Sequence, residues 1–503
     1  MVSIVLTPYD DPRQLFPRAA KKLGVKESQV EILKKSIDAR HKGNIKIIYS
    51  VGVKGEQRED FFHVDTDKKV VVVGAGPCGL FCALTLCRHG IKPIVIERGS
   101  TVEARTKKME SFFNGGDLDC DTNVQFGEGG AGTFSDGKLN TGVNNRLIGR
   151  VLRDFVSFGA PEDILYLSKP HIGSDRLKST IINLREHIKS LGGTFMFDTK
   201  VTDFNFKDGR ICSIVAGGSE IAVDYLVLAI GHSARDTYRI LLGKGVDMEQ
   251  KEFAIGLRIE QLQRVMDEAR YGKFAGFKTL PPSDYKLVSH QGGRGVFTFC
   301  MCPGGVVVPA QSEENTVVVN GMSEYLRDGK NANSAVVVQV KKEDFASSSP
   351  LSGMDLQIDL ERRAFTLGGG GYKAPVCLAE DFISGRTPKS INGVLPTYRR
   401  GFEVVSLENL LPKPIENSLK LGLCDMDKRI SGFASRGAIL TGVETRTSAP
   451  VRILRDESFQ STKFKGLYPA GEGCGYAGGI MSAAIDGIKI ATAIAEREVD
   501  KSC

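Results

Sequence analysis

Three glycines, at positions 74, 76 and 79, lie between a run of four valines and a stretch with helical spacing. That setting is what a phosphate cradle needs. Gly74 permits a tight turn, Gly76 lets the backbone approach a pyrophosphate, and Gly79 lets a helix and strand pack closely. Gly74-Ala75-Gly76-Pro77-Cys78-Gly79 opens a helix whose N-terminal N–H groups and positive dipole end suit phosphate. Glu97 follows Gly74 by 23 residues, at the end of the next strand-like run. A carboxylate there can accept hydrogen bonds from ribose hydroxyls, so the whole reads as nucleotide binding.

Other residues could carry chemistry. Gly471-Glu472-Gly473 sets a carboxylate between glycines, and Gly475-Tyr476-Ala477-Gly478-Gly479-Ile480 leads into a helix of small and apolar residues. The stretch 125–138 holds five glycines between Gly127 and Gly137, too many for a packed helix. Close approach of backbone to a ligand explains them; a flexible surface loop is the competing reading. In Cys300-Met301-Cys302 the cysteines share a strand face. A thiol beside a redox ligand can form an adduct or a disulfide. The spacing is not C-x-x-C, so a substrate-facing turn and simple packing both stay open. Zinc would need a further cysteine pair or histidines, and no metal is expected. Glu444 and Arg446, with Arg452, could clamp a carboxylate substrate, or form an interdomain salt bridge. His171 and His232 are the histidines expected near the ligand, with structural roles as the alternative. Cys78 and Cys82, one turn apart, are expected to pack. The run Lys35 to Arg40 is a solvated strand end, a docking contact or an anion site.

The elements that must position these residues fall into four stretches. Residues 1–65 suggest a small α+β domain, with strands at Val2–Leu6 and 44–53, a helix over 12–23, and a strand or helix over 30–37. Residues 66–250 open a dinucleotide-binding domain. There Val70–Val73 is a strand buried on both faces. A helix, the strand Ile94–Ile96, two further helical stripes, a strand over 195–201, a hairpin around Lys207-Asp208-Gly209-Arg210 and a buried strand ending at Gly231 follow. Residues 251–435 show strand-like runs between long loops and few helical stripes, as an inserted β-rich α+β substrate domain would. Residues 436–503 return to the nucleotide fold. The fold class expected is α/β, a doubly wound Rossmann-like domain split by the insertion. Gly368-Gly369-Gly370-Gly371 follows no suitable strand, so no second nucleotide domain is expected.

Composition sets bounds. Hydrophobic residues are 41% and charged residues 25% of 503, ordinary for a globular protein. Lys and Arg number 67 against 60 Asp and Glu, without like-charge runs, which argues against a nucleic-acid partner. Eleven cysteines and no signal-peptide pattern suggest reduced thiols and a cytoplasmic setting. No stretch is apolar enough to span a bilayer, so no membrane partner is expected.

The segment around Glu472 resembles the second FAD motif of glutathione-reductase-like flavoproteins, and Ala229-Ile230-Gly231 resembles their middle signature. With 125–138, 169–175, 299–305 and 443–452, the chain resembles, over nearly its whole length, a large family of uncharacterised FAD-dependent dehydrogenases. The resemblance implies FAD and a redox role, and no particular substrate. It implies cofactor contacts at Gly74, Ala75, Gly76, Pro77 and Gly79, and at Glu97 and Arg98. Others fall at Gln125, Gly129, Gly130, Ala131, Gly132, Thr133 and Lys138, at Val201 and Gly231, and at Gly471, Glu472, Gly479 and Ile480. In such proteins the residue matched by Glu472 binds the ribityl chain, and the following helix N-terminus stabilises charge on the reduced ring. The function expected is an FAD-dependent oxidoreductase of a small molecule, with Cys300, Cys302, Glu444 and Arg446 as catalytic candidates and NAD(P)H as a transient co-substrate. A flavin-dependent RNA-modifying enzyme and a non-catalytic FAD-binding protein are the alternatives.

Overall fold

The computed structural model describes residues 1–55, 61–142 and 144–502. Its centre is a five-stranded parallel sheet in the order Leu467–Pro469, Tyr225–Leu228, Val70–Val73, Ile94–Ile96, Thr194–Met196. All four valines of the middle strand are buried. Val70 and Val72 pack with the helices Pro77–Arg88, Ser174–Ser190 and Ile480–Ser502. Val71 and Val73 pack with the antiparallel meander Val201–Lys207, Arg210–Ala216, Ser219–Ala222. Alternation along one strand thus fills two cores, which is why a continuous apolar run is needed there. The strand expected over 195–201 is two strands. The chain leaves the parallel sheet after Met196, turns through Asp198 at φ 50°, and starts the meander at Val201.

Facing this sheet is a seven-stranded mixed sheet, ordered Val288–Ser289, Val296–Cys302, Asn331–Val340, Phe253–Leu262, Ile439–Glu444, Ala374–Leu378, Phe402–Val404. The strand Ile439–Glu444 pairs with both Phe253–Leu262 and Ala374–Leu378. The boundary placed between 435 and 436 is therefore wrong: the chain rejoins the nucleotide fold only after Glu444. The apolar run 439–443 fits either sheet, so the sequence alone does not assign it. The insertion is β-rich α+β, as expected, its sheet accompanied by the helices Ser352–Leu367 and Lys413–Arg429. Their buried faces include Gln357, Glu361, Glu416 and Ser418, which break the apolar stripe.

The first 53 residues form a three-stranded antiparallel sheet, with Lys46–Val53 between Val2–Leu6 and Val30–Asp38, under the helix Leu15–Leu23. Residues 30–37 are therefore strand. The Lys35 amide donates to the Tyr166 carbonyl at 2.6 Å, and Ser168 donates back to the Lys35 carbonyl at 2.9 Å. Lys35 thus docks this sheet onto the rest of the chain, while Arg40 is exposed and paired with Asp38. Tyr271, Phe274 and Leu280 of the insertion complete the small core. Among the described residues no helix is long and apolar enough to cross a membrane.

Candidate functional site

A cleft runs between the two large sheets, with about 1500 Å³ free of protein atoms, part of it open to solvent. Its floor begins at the glycine turn after Val70–Val73. A Cβ on Gly74 would lie 2.2 Å from the Ala229 carbonyl oxygen, and one on Gly79 would lie 1.9 Å from that of Gly74. Only glycine lets strand and helix approach this closely. Gly76 differs: a Cβ there would meet nothing nearer than the Gly130 Cα at 3.7 Å, on the cleft side. The helix Pro77–Arg88 starts at Gly76 with no side-chain cap and with proline at its first position. Its remaining N–H groups are thus left for a ligand, and anionic phosphate suits them.

Glu97 lines the cleft and ties three backbone segments together. It accepts from the amides of Ala75 at 2.8 Å, Gly99 at 3.0 Å and Gly127 at 3.0 Å. A carboxylate has about four acceptor positions, so one is left for a hydroxyl. Arg98, also lining the cleft, donates to Asp236 through both terminal nitrogens at 3.1 and 3.0 Å and lies 4.3 Å from the centre of the Phe126 ring. The glycine-rich stretch 125–138 folds back on this floor: Gly129 donates to the Ala75 carbonyl at 2.8 Å. It is held by Arg105, a fully buried guanidinium that donates to the carbonyls of Asn123, Val124, Gly127, Glu128 and Gly130. It is therefore built in as a wall, and the surface-loop reading fails.

At the strand end Gly231, His232 is pushed down to about 3, mainly by burial and then by the cations Arg446 and Arg235. Glu472 lies 3.9 Å from its Nε2. Burial pushes the Glu472 carboxyl up to about 7, against the pull of Lys251. A carboxyl near its titration point can both donate to and accept from polyol hydroxyls.

The opposite wall is made of side chains. Arg258 is fully buried on the strand Phe253–Leu262 and donates to both oxygens of Glu444 at 2.9 Å, to Asn333 Oδ1 at 2.8 Å and to the Cys300 carbonyl at 2.8 Å. Burial raises the Glu444 carboxyl despite this partner. Arg446 turns the other way. It donates to both oxygens of Glu361, at 3.0 and 2.7 Å, and to Ser233 and Ser312. Arg235 meets the same carboxylate at 2.9 and 2.8 Å and also pairs with Glu313. Burial alone would raise the Glu361 carboxyl; the two guanidiniums overcome it and hold it well below the usual range. The clamp expected of Glu444, Arg446 and Arg452 is not formed. The Arg446 fork is already occupied by Glu361, and Arg452 sits on the strand Val451–Ile453 opposite Glu249. The interdomain salt bridge is what the structure contains, with partners the sequence reading missed.

The cysteines do not share a face. A bulge sets Cys300 and Met301 against one residue of the neighbouring strand, and Cys300 adopts φ 46°. Cys300 lines the cleft, whereas Cys302 is fully buried with its Sγ 3.7 Å from Arg258. Burial pushes the Cys300 thiol up to about 11 and also raises Cys302, although Lys138 and Arg258 oppose this. All ten described cysteines are free. Cys78 and Cys82 are buried in the helix. His171 donates from Nε2 to the Tyr325 carbonyl at 3.0 Å and stacks on the Tyr325 ring, outside the cleft lining.

The cleft brings together Gly74, Gly76, Pro77, Glu97, Arg98 and Gln125 on one side. Gly130, Ala131, Gly132, Lys138, Val201 and Gly231 join them, as do Glu472, Gly479 and Ile480. Cys300, Glu444 and Arg446 line the far wall. Ala75, Gly79, Gly129, Thr133 and Gly471 stand behind the lining; Gly471, for instance, donates to Asp486 at 2.7 Å. Sequence reasoning missed Arg235, Arg258, Asn320 and Glu361. A lone arginine in the apolar run Phe253–Leu262 was the available signal for Arg258.

Three family profiles match the chain. "FAD-dependent protein, C-terminal domain-like" covers residues 252–447, "FAD binding domain" covers 67–109, and a domain of unknown function covers 1–54. An uncharacterized protein of Clostridium beijerinckii is 47% identical over 522 residues, covering 98% of each chain. The chain belongs to this family of FAD-dependent proteins. FAD is its cofactor. The flavoprotein also matches the "Glutamate synthase [NADPH] small chain" of Halomonas elongata, at 58% identity over 33 residues, 7% of each chain. Among solved structures, a flavin-dependent brominase triple mutant aligns at TM-score 0.39 and 13% identity, over 86% of this flavoprotein and 81% of that chain.

Proposed function

We propose that the chain is an FAD-dependent oxidoreductase whose cleft holds the cofactor against the parallel sheet and a small-molecule substrate against the seven-stranded sheet. One observation carries this reading: a single continuous lining joins the glycine turn at Gly74 and Gly76 to Phe299, Cys300, Asn320 and Glu444. When bound, FAD supplies hydride or electron transfer through its isoalloxazine N5. The residues around it have separable tasks. The helix start after Gly76 would hold the pyrophosphate, and Glu97 would take one ribose hydroxyl on its remaining acceptor position. Glu472 would meet the ribityl chain, and the start of Ile480–Ser502 would face the pyrimidine edge. Gly130, Ala131 and Gly132 would cover the ring and exclude water. Glu444, fixed by Arg258, would take a proton from a substrate on the far wall.

The test is anaerobic photoreduction of the FAD-loaded protein, followed by separate exposure to oxygen, NAD(P)+ and quinones. Rapid reoxidation by one of them is the expected result and identifies the acceptor; an NAD(P)+ response would establish the nicotinamide as a transient co-substrate. A flavin that reduces but is reoxidised by none would point to a shielded, non-catalytic cofactor.

A further inference from the structure

The arginines in and behind the cleft are matched within the protein. Arg98 is held by Asp236, Glu444 by Arg258, and Arg446 by Glu361. Asp136 receives Arg327 through two bonds, at 2.9 and 2.5 Å. Lys138 is held more loosely, by an ion pair to Asp136. Its side chain is 24% exposed, and its ammonium makes no hydrogen bond among the described residues. Its nearest carboxylate, Asp136, lies 3.9 Å away with both oxygens already engaged by Arg327. Its backbone, by contrast, is fixed: Lys138 bridges His171 across an antiparallel pair, and the next amide, Leu139, donates to Pro170 at 2.9 Å. The ammonium therefore shares Asp136 with Arg327, so that one carboxylate serves two cations.

Its surroundings are those of the far wall. Lys138 acts electrostatically on both Cys300 and Cys302. Cys300 follows the cleft-lining Phe299, and its carbonyl rests on Arg258. Asn320 lines the same cleft, and its neighbour Gly321 abuts Arg258 so closely that a Cβ there would lie 1.9 Å from the guanidinium. A cation in excess of its shared carboxylate thus lines the same cleft as Phe299 and Asn320.

Resting on the reading of this cleft as the FAD and substrate site, we propose that Lys138 is the anion-binding residue of the substrate pocket, and that the substrate is a small carboxylate with an apolar body lying against Phe299. An ammonium with three unused donors gains a charge-assisted hydrogen bond from a carboxylate and nothing comparable from a neutral amide.

The experiment titrates the FAD-loaded protein with benzoate, acetate and the neutral isostere benzamide, following the visible flavin band. Benzoate or acetate is expected to perturb the band saturably, and benzamide much more weakly. Lys138→Met should weaken carboxylate binding about 10-fold or more, the scale of one charge-assisted hydrogen bond. Lys138→Arg should restore part of it, and Lys278→Met, at an exposed site, should change nothing. FAD affinity should be unaltered in Lys138→Met. The proposal is overturned if neither carboxylate perturbs the flavin, if Lys138→Met binds them as the wild type does, or if Lys138→Met loses FAD. A wild-type protein that takes up no flavin would instead overturn the reading of the cleft itself.

Discussion

The two walls of the cleft are built from different materials. The parallel-sheet wall is mostly backbone: a glycine turn, an uncapped helix start, and amides gathered on Glu97. The seven-stranded wall is mostly charged side chains locked in pairs, Arg258 with Glu444 and Arg235 and Arg446 with Glu361. Backbone recognition suits a ligand that never changes. Paired side chains, by contrast, hold a polar surface in a low-dielectric setting, where any unmatched charge becomes a specificity element. Substitutions on the two walls should therefore fail differently.

The largest effect is expected at Glu361. Removing it as Glu361→Ala leaves Arg235 and Arg446 buried with no shared carboxylate, and breaking a buried pair in this way costs about 3–5 kcal/mol. Urea denaturation of the apo-protein measures it; a loss under about 1 kcal/mol, the scale of an exposed pair, would mean that water reaches this wall. On the other wall, Gly79→Ala places a Cβ 1.9 Å from a carbonyl oxygen, with backbone on both sides unable to move independently. Overpacking of this kind costs about 1–3 kcal/mol. The same denaturation should show the smaller loss.

These two variants also mark what the sequence made legible. Gly74 and Gly79 announce themselves because sterics forbid other residues there, and Gly76 because it lies within three positions of both. Val70–Val73 was equally readable, since burial on both faces demands an unbroken apolar run. The far wall was not readable. Glu361 meets Arg235 across 126 positions and Arg446 across 85, and a carboxylate on a buried helix face looks like a break in the stripe until its partners are known. The cysteine pair misled for a local reason: alternation assumes a regular strand, and the bulge at Cys300 abolishes it.

A finer contrast is available from pH. His232 stays neutral down to about 3, whereas a free histidine titrates near 6.5. The unfolded chain therefore binds the extra proton first. The associated stability is complete above about pH 6.5 and is lost as pH falls toward 3. Thermal unfolding of wild type and His232→Asn across this range should show the acid limb flattened in the variant; parallel curves would mean that His232 is solvated. The smallest effect concerns Cys300. With its thiol raised to about 11, it should resist iodoacetamide at neutral pH and give no thiolate–flavin charge-transfer band. Rapid alkylation at pH 7 would restore the redox-thiol reading.

The most direct test of the division between walls is Gly76→Val. Gly76 has φ −78° and ψ −177°, which any residue adopts; it lines the cleft, and beyond its chain neighbours a Cβ there would meet nothing nearer than the Cα of Gly130, another lining residue, at 3.7 Å. The side chain would thus fill the place assigned to the pyrophosphate without disturbing the fold. After incubation with FAD and removal of the unbound cofactor, wild type should keep the flavin visible spectrum, and Gly76→Val should be colourless with an apo-protein unfolding temperature unchanged. A Gly76→Val protein as yellow as wild type would contradict the account.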